Sequence, residues 1–241
     1  RELDLSRATL QALATAPQLT MGDLAGFHAR LQQIALPEGT RVLLTDDTGQ
    51  ILLHSNRPFG AALPKRGDPA LAARVFATGE PQVSDLFFGS ESRDPLVALG
   101  VPVRLDGRVA YDLAVGIRAE SLHRVLVEQR LPPGWSAALV DGRGVLLSRT
   151  INPGRAVGQP APAASVAAIA AGETPFSSTS QDGAPIRAAH AAVPGTGWTV
   201  FVAIPVARLE APLRGALLVA LVVNGGLLLT GLLAALWHAR R

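Results

Sequence analysis

Residues 42–52 read VLLTDDTGQIL and residues 137–147 read AALVDGRGVLL, an offset of 95. Each copy is an apolar run, an Asp (Asp46, Asp141), a Gly three residues later (Gly49, Gly144) and a second apolar run. Short apolar runs joined by Asp and Gly predict a β-hairpin. Asp bonds to its own backbone in a turn, and Gly accepts the positive φ that a turn requires. Downstream of each hairpin comes a Pro/Ala-rich helical stretch, 69–78 and 161–171. Three strand-like segments follow, 81–88, 95–104 and 108–117 in the first copy and 174–180, 185–193 and 197–204 in the second. A chain with this repeat is restricted to the α+β class, with two antiparallel sheets and helical cover for each.

The segments outside the repeats fix the domain plan. Residues 1–36 read as a helical stalk in two pieces. Leu3, Leu10 and Leu13 recur near heptad spacing, Pro17 interrupts, and Leu24, Phe27, Leu31 and Ile34 continue on one face until Pro37. Thr20 with Asp23 resembles a capping box for the second piece. The first repeat unit occupies 37–117. Residues 118–134 form a helical linker through Leu122, Val125, Leu126 and Gln129, which Pro132-Pro133-Gly134 stops. The second unit occupies 135–205, and 206–241 is the C-terminal helix.

From Gly215 to Trp237 the chain has 23 residues without a charge. A helix of that length crosses the ~30 Å hydrocarbon core of a bilayer. A buried hairpin helix of a large soluble protein and a C-terminal tail anchor are the alternatives. Arg240 and Arg241 close the run and mark its cytoplasmic end, which puts residues 1–213 outside, in the periplasm of a bacterial inner membrane. Export then requires sequence before Arg1, including a first span. Ala216, Ala220 and Asn224 share a face of this helix, and small residues around a carboxamide predict helix packing within a homodimer.

Composition narrows the chemistry. There is no Cys, so thiol catalysis and Cys-based metal sites are excluded. A net charge of +3 with scattered Arg gives no nucleic-acid stripe. His28, His54, His123, His190 and His238 lack any paired metal spacing, so no metal or cofactor is expected. Asp47-Thr48-Gly49 matches the aspartic-protease triplet, but its repeat partner Gly142-Arg143-Gly144 lacks the second Asp, and a hairpin turn is the simpler reading. No catalytic residue is assigned, and a membrane-anchored aspartic hydrolase is the alternative of a different class. Trp135 and Trp198 flank the second repeat as expected core residues of its first and last strands, or as the lining of a second cavity.

The polar residues worth singling out lie in the first repeat. Asp112 sits amid the apolar strand 109–115 and shares a face with Ala110, Ala114 and Gly116, which leaves room beside it. A carboxylate there must be paired, exposed or wet. A pocket wall, a sheet edge and an ion pair with a nearby Arg all satisfy that. On the first of these readings, removing the carboxylate is neutral or stabilising. Asp85 and Phe87 are expected on one face of their strand, Arg93 in the polar loop after it, and Arg57 beside Pro58-Phe59. With Tyr111 these form the candidate ligand contacts.

The order and spacing of the whole region, and stretches such as RPFGAALPKRGDP (57–69), ATGEPQVSDLF (77–87), RLPPGW (130–135) and GTGWTVFVAIP (195–205), resemble the double Cache sensors of bacterial receptors. These stretches look in particular like the sensor regions of membrane histidine kinases with an HWE-type kinase domain. The resemblance implies two tandem PAS-like subdomains beside a long N-terminal helix, a small-molecule ligand in the distal subdomain, and an output domain outside this chain. A chemoreceptor or a cyclic-dinucleotide enzyme is the alternative output. The family's amino-acid sensors carry an Arg-x-Trp-Tyr stretch that has no match here. Phe87 stands where their Tyr aligns, and Gly89 and Gly116 stand where their Asp residues align. These departures argue against a standard amino-acid sensor.

Overall fold

The computed structural model describes residues 2–34, 40–89, 93–210, 221, 223 and 224. The chain opens with α1 (Glu2–Ala14), α2 (Pro17–Thr20) and α3 (Leu24–Gln33). The long stalk helix implied by the resemblance is therefore broken. Pro17 starts a new turn, and Gly22 takes φ +70 before the next helix. The cap of α3 is Asp23 itself, whose carboxylate accepts from the Gly26 N–H at 2.8 Å. Thr20 instead ends α2, with its hydroxyl donating to the Pro17 carbonyl. The expected Thr20 capping box is displaced by three residues because an ionised Asp is the better N-cap.

The first unit holds β1 (Arg41–Thr45), β2 (Ile51–His54), α4 (Pro69–Thr78), β3 (Gln82–Val83), β4 (Phe87–Phe88), β5 (Pro95–Leu105) and β6 (Arg108–Arg118). After α5 (Ala119–Glu128) the second unit holds β7 (Ser136–Val140), β8 (Leu146–Arg149), α6 (Pro153–Ala156), α7 (Ala163–Ala171), β9 (Phe176–Thr179), β10 (Pro185–Val193) and β11 (Trp198–Pro205). Residues 206–210 are helical. The strand order is β2-β1-β6-β5-β3 in the first sheet, with β4 also on β5, and β8-β7-β11-β10-β9 in the second. These are the same antiparallel topology. The strand expected over 81–88 is interrupted between β3 and β4.

The 95-residue offset holds down to single hydrogen bonds. Asp46 Oδ1 accepts from the N–H groups of Thr48 and Gln50, both at 2.9 Å. Asp141 Oδ1 accepts from Arg143 at 2.9 Å and Val145 at 2.8 Å. Both first strands carry a bulge at the same place, Leu44/Thr45 and Leu139/Val140. After each hairpin the chain returns to the turn: the N–H of Arg66 donates to Gly49 O at 2.9 Å, and that of Ala161 to Gly144 O at 2.8 Å. Asp47 is exposed on this turn. Bonds of this kind explain why Asp and Gly were needed at those spacings.

One face of both sheets contributes to a single apolar core. It contains Leu10 and Leu13 of α1, Val42, Leu99 and Leu113 of the first sheet, and Leu139, Leu147 and Trp198 of the second. Trp198 is 1 % exposed, and its indole donates to Ser84 O at 3.0 Å. Trp135 is 39 % exposed, not a core residue, because it precedes β7 rather than lying on it. Separate small cores lie on the opposite faces, under α4 and α7. Among the described residues no helix is long and apolar enough to cross a membrane. The run 215–237 lies almost wholly outside the described residues, as do Ala216, Ala220, Arg240 and Arg241. Of the proposed packing face only Asn224 is described, as a helical, exposed residue.

Candidate functional site

The face of the first sheet turned away from the shared core is built from small side chains. Alternation sends Val97, Leu99 and Val101 of β5 into that core and leaves Ala98 and Gly100 on the other side. On β6 it sends Leu113 and Val115 inward and leaves Asp112, Ala114 and Gly116 opposite. The register sets Ala98 beside Gly116 and Gly100 beside Ala114. Helix α4 covers one end of this face through Leu71 and Val75. It starts at Asp68, whose carboxylate accepts from Leu71 N–H at 3.4 Å, and ends at Gly79 with φ 63. The chain between β2 and α4 covers the rest. His28 Nε2 ties it to α3 by bonding to the Arg57 carbonyl at 2.9 Å.

A cavity of about 90 Å³ remains beneath this cover. Its polar lining comes from Arg41, His54, Arg57 and Arg66. Phe87, Gly89 and Gly116 also line it. Arg41 faces Asp94 at 3.9 Å at the rim.

Below the cavity lies a buried ion pair. Arg66 Nη1 donates to Asp112 Oδ2, with both side chains nearly inaccessible. Burial raises the Asp112 carboxyl to about 6 from its ordinary 3.8, against the opposing pull of Arg66. Three polar atoms on this floor have no hydrogen-bond partner in the protein: Arg66 Nη2, Asp112 Oδ1 and Thr45 Oγ1. Thr45 and Asp112 are opposite each other in register. Asp112 Oδ1 lies against Gly100, where an added Cβ would come within 2.5 Å of it. Gly100 thus makes room for the carboxylate.

The sequence candidates scatter. Arg57 and Phe87 meet at the cavity, and Asp112 lies under it. Tyr111 packs toward the shared core instead, as its position next to Asp112 on a strand demands. Arg93 is exposed, at φ 53, with its N–H on Gly89 O at 3.0 Å, and is not part of the cavity lining. Asp85 does not share a face with Phe87, because the chain between β3 and β4 is not a strand. Its Oδ1 accepts from the Gly142 N–H at 3.0 Å and its Oδ2 lies 3.5 Å from Arg143 Nε. Leu86 N–H donates to Asp141 Oδ2 at 3.1 Å, and Arg143 Nη2 donates to the Leu86 carbonyl. Asp85 and Leu86 therefore grip the hairpin turn of the second unit, Ser84 holds Trp198, and Phe87 in the same stretch forms cavity wall. Arg66, Arg41 and His54 were not among the candidates. Only the need of a buried Asp for a cation pointed to Arg66, and linear spacing does not say which Arg supplies it.

The second unit has a smaller cavity of about 60 Å³, lined by Arg149, Ser165, Gln181 and Phe201 among others. Arg149 Nη2 donates to Asp182 Oδ2 at 2.6 Å, which holds that carboxyl below the ordinary range. Phe176, His190 and Phe201 cluster with ring centres 5.9–6.0 Å apart.

No protein-family model and no curated protein sequence matches the chain. Solved structures match it by shape. The ligand-binding domain of the Pseudomonas fluorescens chemoreceptor CtaA with L-serine superposes with a TM-score of 0.65 at 12% identity, covering 84% of this chain and 88% of that one. The ligand-binding domain of Mlp24 with asparagine gives 0.63 at 12% identity, covering 88% of each chain. The extracellular domain of a candidate histidine kinase, rpHK1S-Z16, gives 0.57 at 16% identity, covering 85% of this chain and 95% of that one. The chain has the tandem PAS-like, double Cache fold of these receptor domains.

Proposed function

We propose that the chain is the ligand-sensing portion of a bacterial transmembrane receptor, with a histidine kinase as its output. Residues 1–213 would lie in the periplasm and the 215–237 run would carry the signal across the membrane. The observation that supports this best is a covered cavity in the first unit, whose wall residue Phe87 belongs to the same segment as Asp85 and Leu86, which grip the second unit. The neighbours of like fold are receptor domains, several of them holding an amino acid. Differential affinity of a small polar ligand for two arrangements of that segment supplies the signal energy, typically about 1–3 kcal/mol. Arg57, Phe87, Arg66 and Asp112 are the site residues on this reading. A chemoreceptor output is the second reading, favoured by the higher shape similarity to chemoreceptor domains.

The test is thermal unfolding of the full chain against a library of small polar metabolites. Binding raises the melting temperature as RT ln(1 + [L]/Kd). Hits lost in Ala114→Leu, which fills the cavity, support the reading. A library without a hit, or hits indifferent to that substitution, would refute a sensor site here. Orientation is tested in this Cys-free chain with Asp47→Cys, which is exposed, and a Cys added after Arg241. An impermeant thiol reagent should label only the first in cells with a permeable outer membrane.

A further inference from the structure

We infer that the cavity of the first unit recognises the carboxylate of a small organic anion through Arg66, and has no place for an ammonium group. This deepens the proposed sensing function and rests on it. Three guanidinium groups, from Arg41, Arg57 and Arg66, border the cavity, and no Asp or Glu does among the described residues that line it. None of the described acids nearby is part of that lining. Asp94 faces Arg41, Asp68 caps α4, and Asp112 gives Oδ2 to Arg66 and tucks Oδ1 against Gly100.

Asp112 therefore acts as a positioning residue. It fixes one nitrogen of Arg66 and leaves Nη2 without an acceptor in the protein, although Arg66 is only 7 % exposed. A buried guanidinium N–H without an acceptor is unfavourable, and a ligand carboxylate supplies a charge-assisted one. The size is also restrictive. A cavity of about 90 Å³ is smaller than the roughly 150 Å³ that holds a benzene ring, which favours the smallest organic acids.

The experiment measures melting temperature and binding heat of the full chain in lipid nanodiscs. The probes are lactate, malonate and succinate, their neutral amides, and the zwitterions L-serine and L-alanine. At least one acid should bind while its amide does not. Arg66→Gln with Asp112→Asn replaces the ion pair by a neutral hydrogen-bonded pair, so the chain still folds, and should weaken that acid at least about ten-fold. Arg57→Gln, at the exposed mouth, should weaken it less. An acid and its amide binding alike, an acid retained by the double variant, or zwitterions as the only hits would overturn the anion assignment. So would library hits confined to neutral molecules. In each of those cases the sensing function itself stands if Ala114→Leu abolishes the binding, and fails with it if no compound binds at all.

Discussion

The two repeat units share a topology, a bulge position and a turn, yet they treat the face under their helices in opposite ways. The register makes the comparison residue by residue. Leu43 pairs with Ala114 in the first sheet, and its repeat partner Ala138 pairs with Phe201 in the second. Gly100 lies across from Ala114, and His190 lies across from Phe201. Asp112 corresponds to Thr199, and Arg66, by the return of the chain to the turn, corresponds to Ala161. One unit has small residues over a buried ion pair. The other has rings where the small residues were and no charge where the pair was. The same scaffold thus keeps a cavity of about 90 Å³ over an ion pair in the first copy and a ring-lined one of about 60 Å³ in the second. The difference between the two faces is a matter of four or five side chains, not of fold.

The largest effect that tests this contrast is loss of Arg66. Arg66→Ala leaves Asp112 buried without a counter-charge and should destabilise the chain by about 3–5 kcal/mol in denaturant unfolding. Thr199→Val, at the position that corresponds to Asp112, should cost about 1 kcal/mol or less. A small effect at Arg66 would mean the pair is not a structural unit. For the same reason Asp112→Ala is expected to destabilise, contrary to the neutral or stabilising outcome that the strand pattern alone suggested. Phe201→Ala should cost about 3–5 kcal/mol by removing a buried ring, whereas Ala114→Gly should cost about 1 kcal/mol.

A smaller effect belongs to Gly100. Gly100→Ala puts a Cβ 2.5 Å from Asp112 Oδ1 and 3.1 Å from Val75 Cγ2, and overpacking of that kind costs about 1–3 kcal/mol. The titration of Asp112 gives a signed test. Its carboxyl is raised in the fold to about 6 from 3.8, so between those values the folded chain binds more protons than the unfolded one. Stability from this group therefore falls as pH rises from about 3.8 to 6 and is level above that. The neutral Arg66→Gln/Asp112→Asn variant lacks this fall, and the second unit has no equivalent. Wild-type and variant stabilities that run parallel across that window would contradict it. The smallest difference is between the two turns. Asp141→Ala should cost more than Asp46→Ala, by about 1 kcal/mol, because Asp141 alone also holds Leu86 of the other unit.

Much of the architecture was legible because the repeat is written in turn chemistry. Asp and Gly at fixed spacing, with apolar runs on both sides, determine a hairpin locally. The bounds of α4 and β10 match those expected from the sequence for the same reason: Asp68-Pro69 and Gly79 punctuate one, and alternation marks the other. The site was legible only in part. Asp112 was conspicuous as a carboxylate in an apolar strand, but Arg66 comes 46 positions earlier and reaches it only because the chain folds back onto Gly49. Asp85 and Phe87 were expected on one face because alternation was assumed across a segment that turns out to be two short strands with a bend between them. Tyr111 was assigned to the site although it is adjacent to Asp112, and the pleat alone should have separated them.

The single apolar core beneath both sheets has a consequence for any attempt to divide the protein. The repeat has two sheets, but the surface that each presents to the other and to α1 is continuous, with Trp198 of the last strand seated against Ser84 of the first unit. A half cut in the 118–134 linker would carry Leu139, Leu147 and Trp198, or Val42, Leu99 and Leu113, into water. At roughly 1.5–3 kcal/mol for each large side chain exposed, that exceeds what a marginally stable half can absorb. The repeat is therefore a unit of topology and not of folding. Amide exchange of β6 and β11 should report one common opening event, and a gene encoding either half alone should yield aggregate.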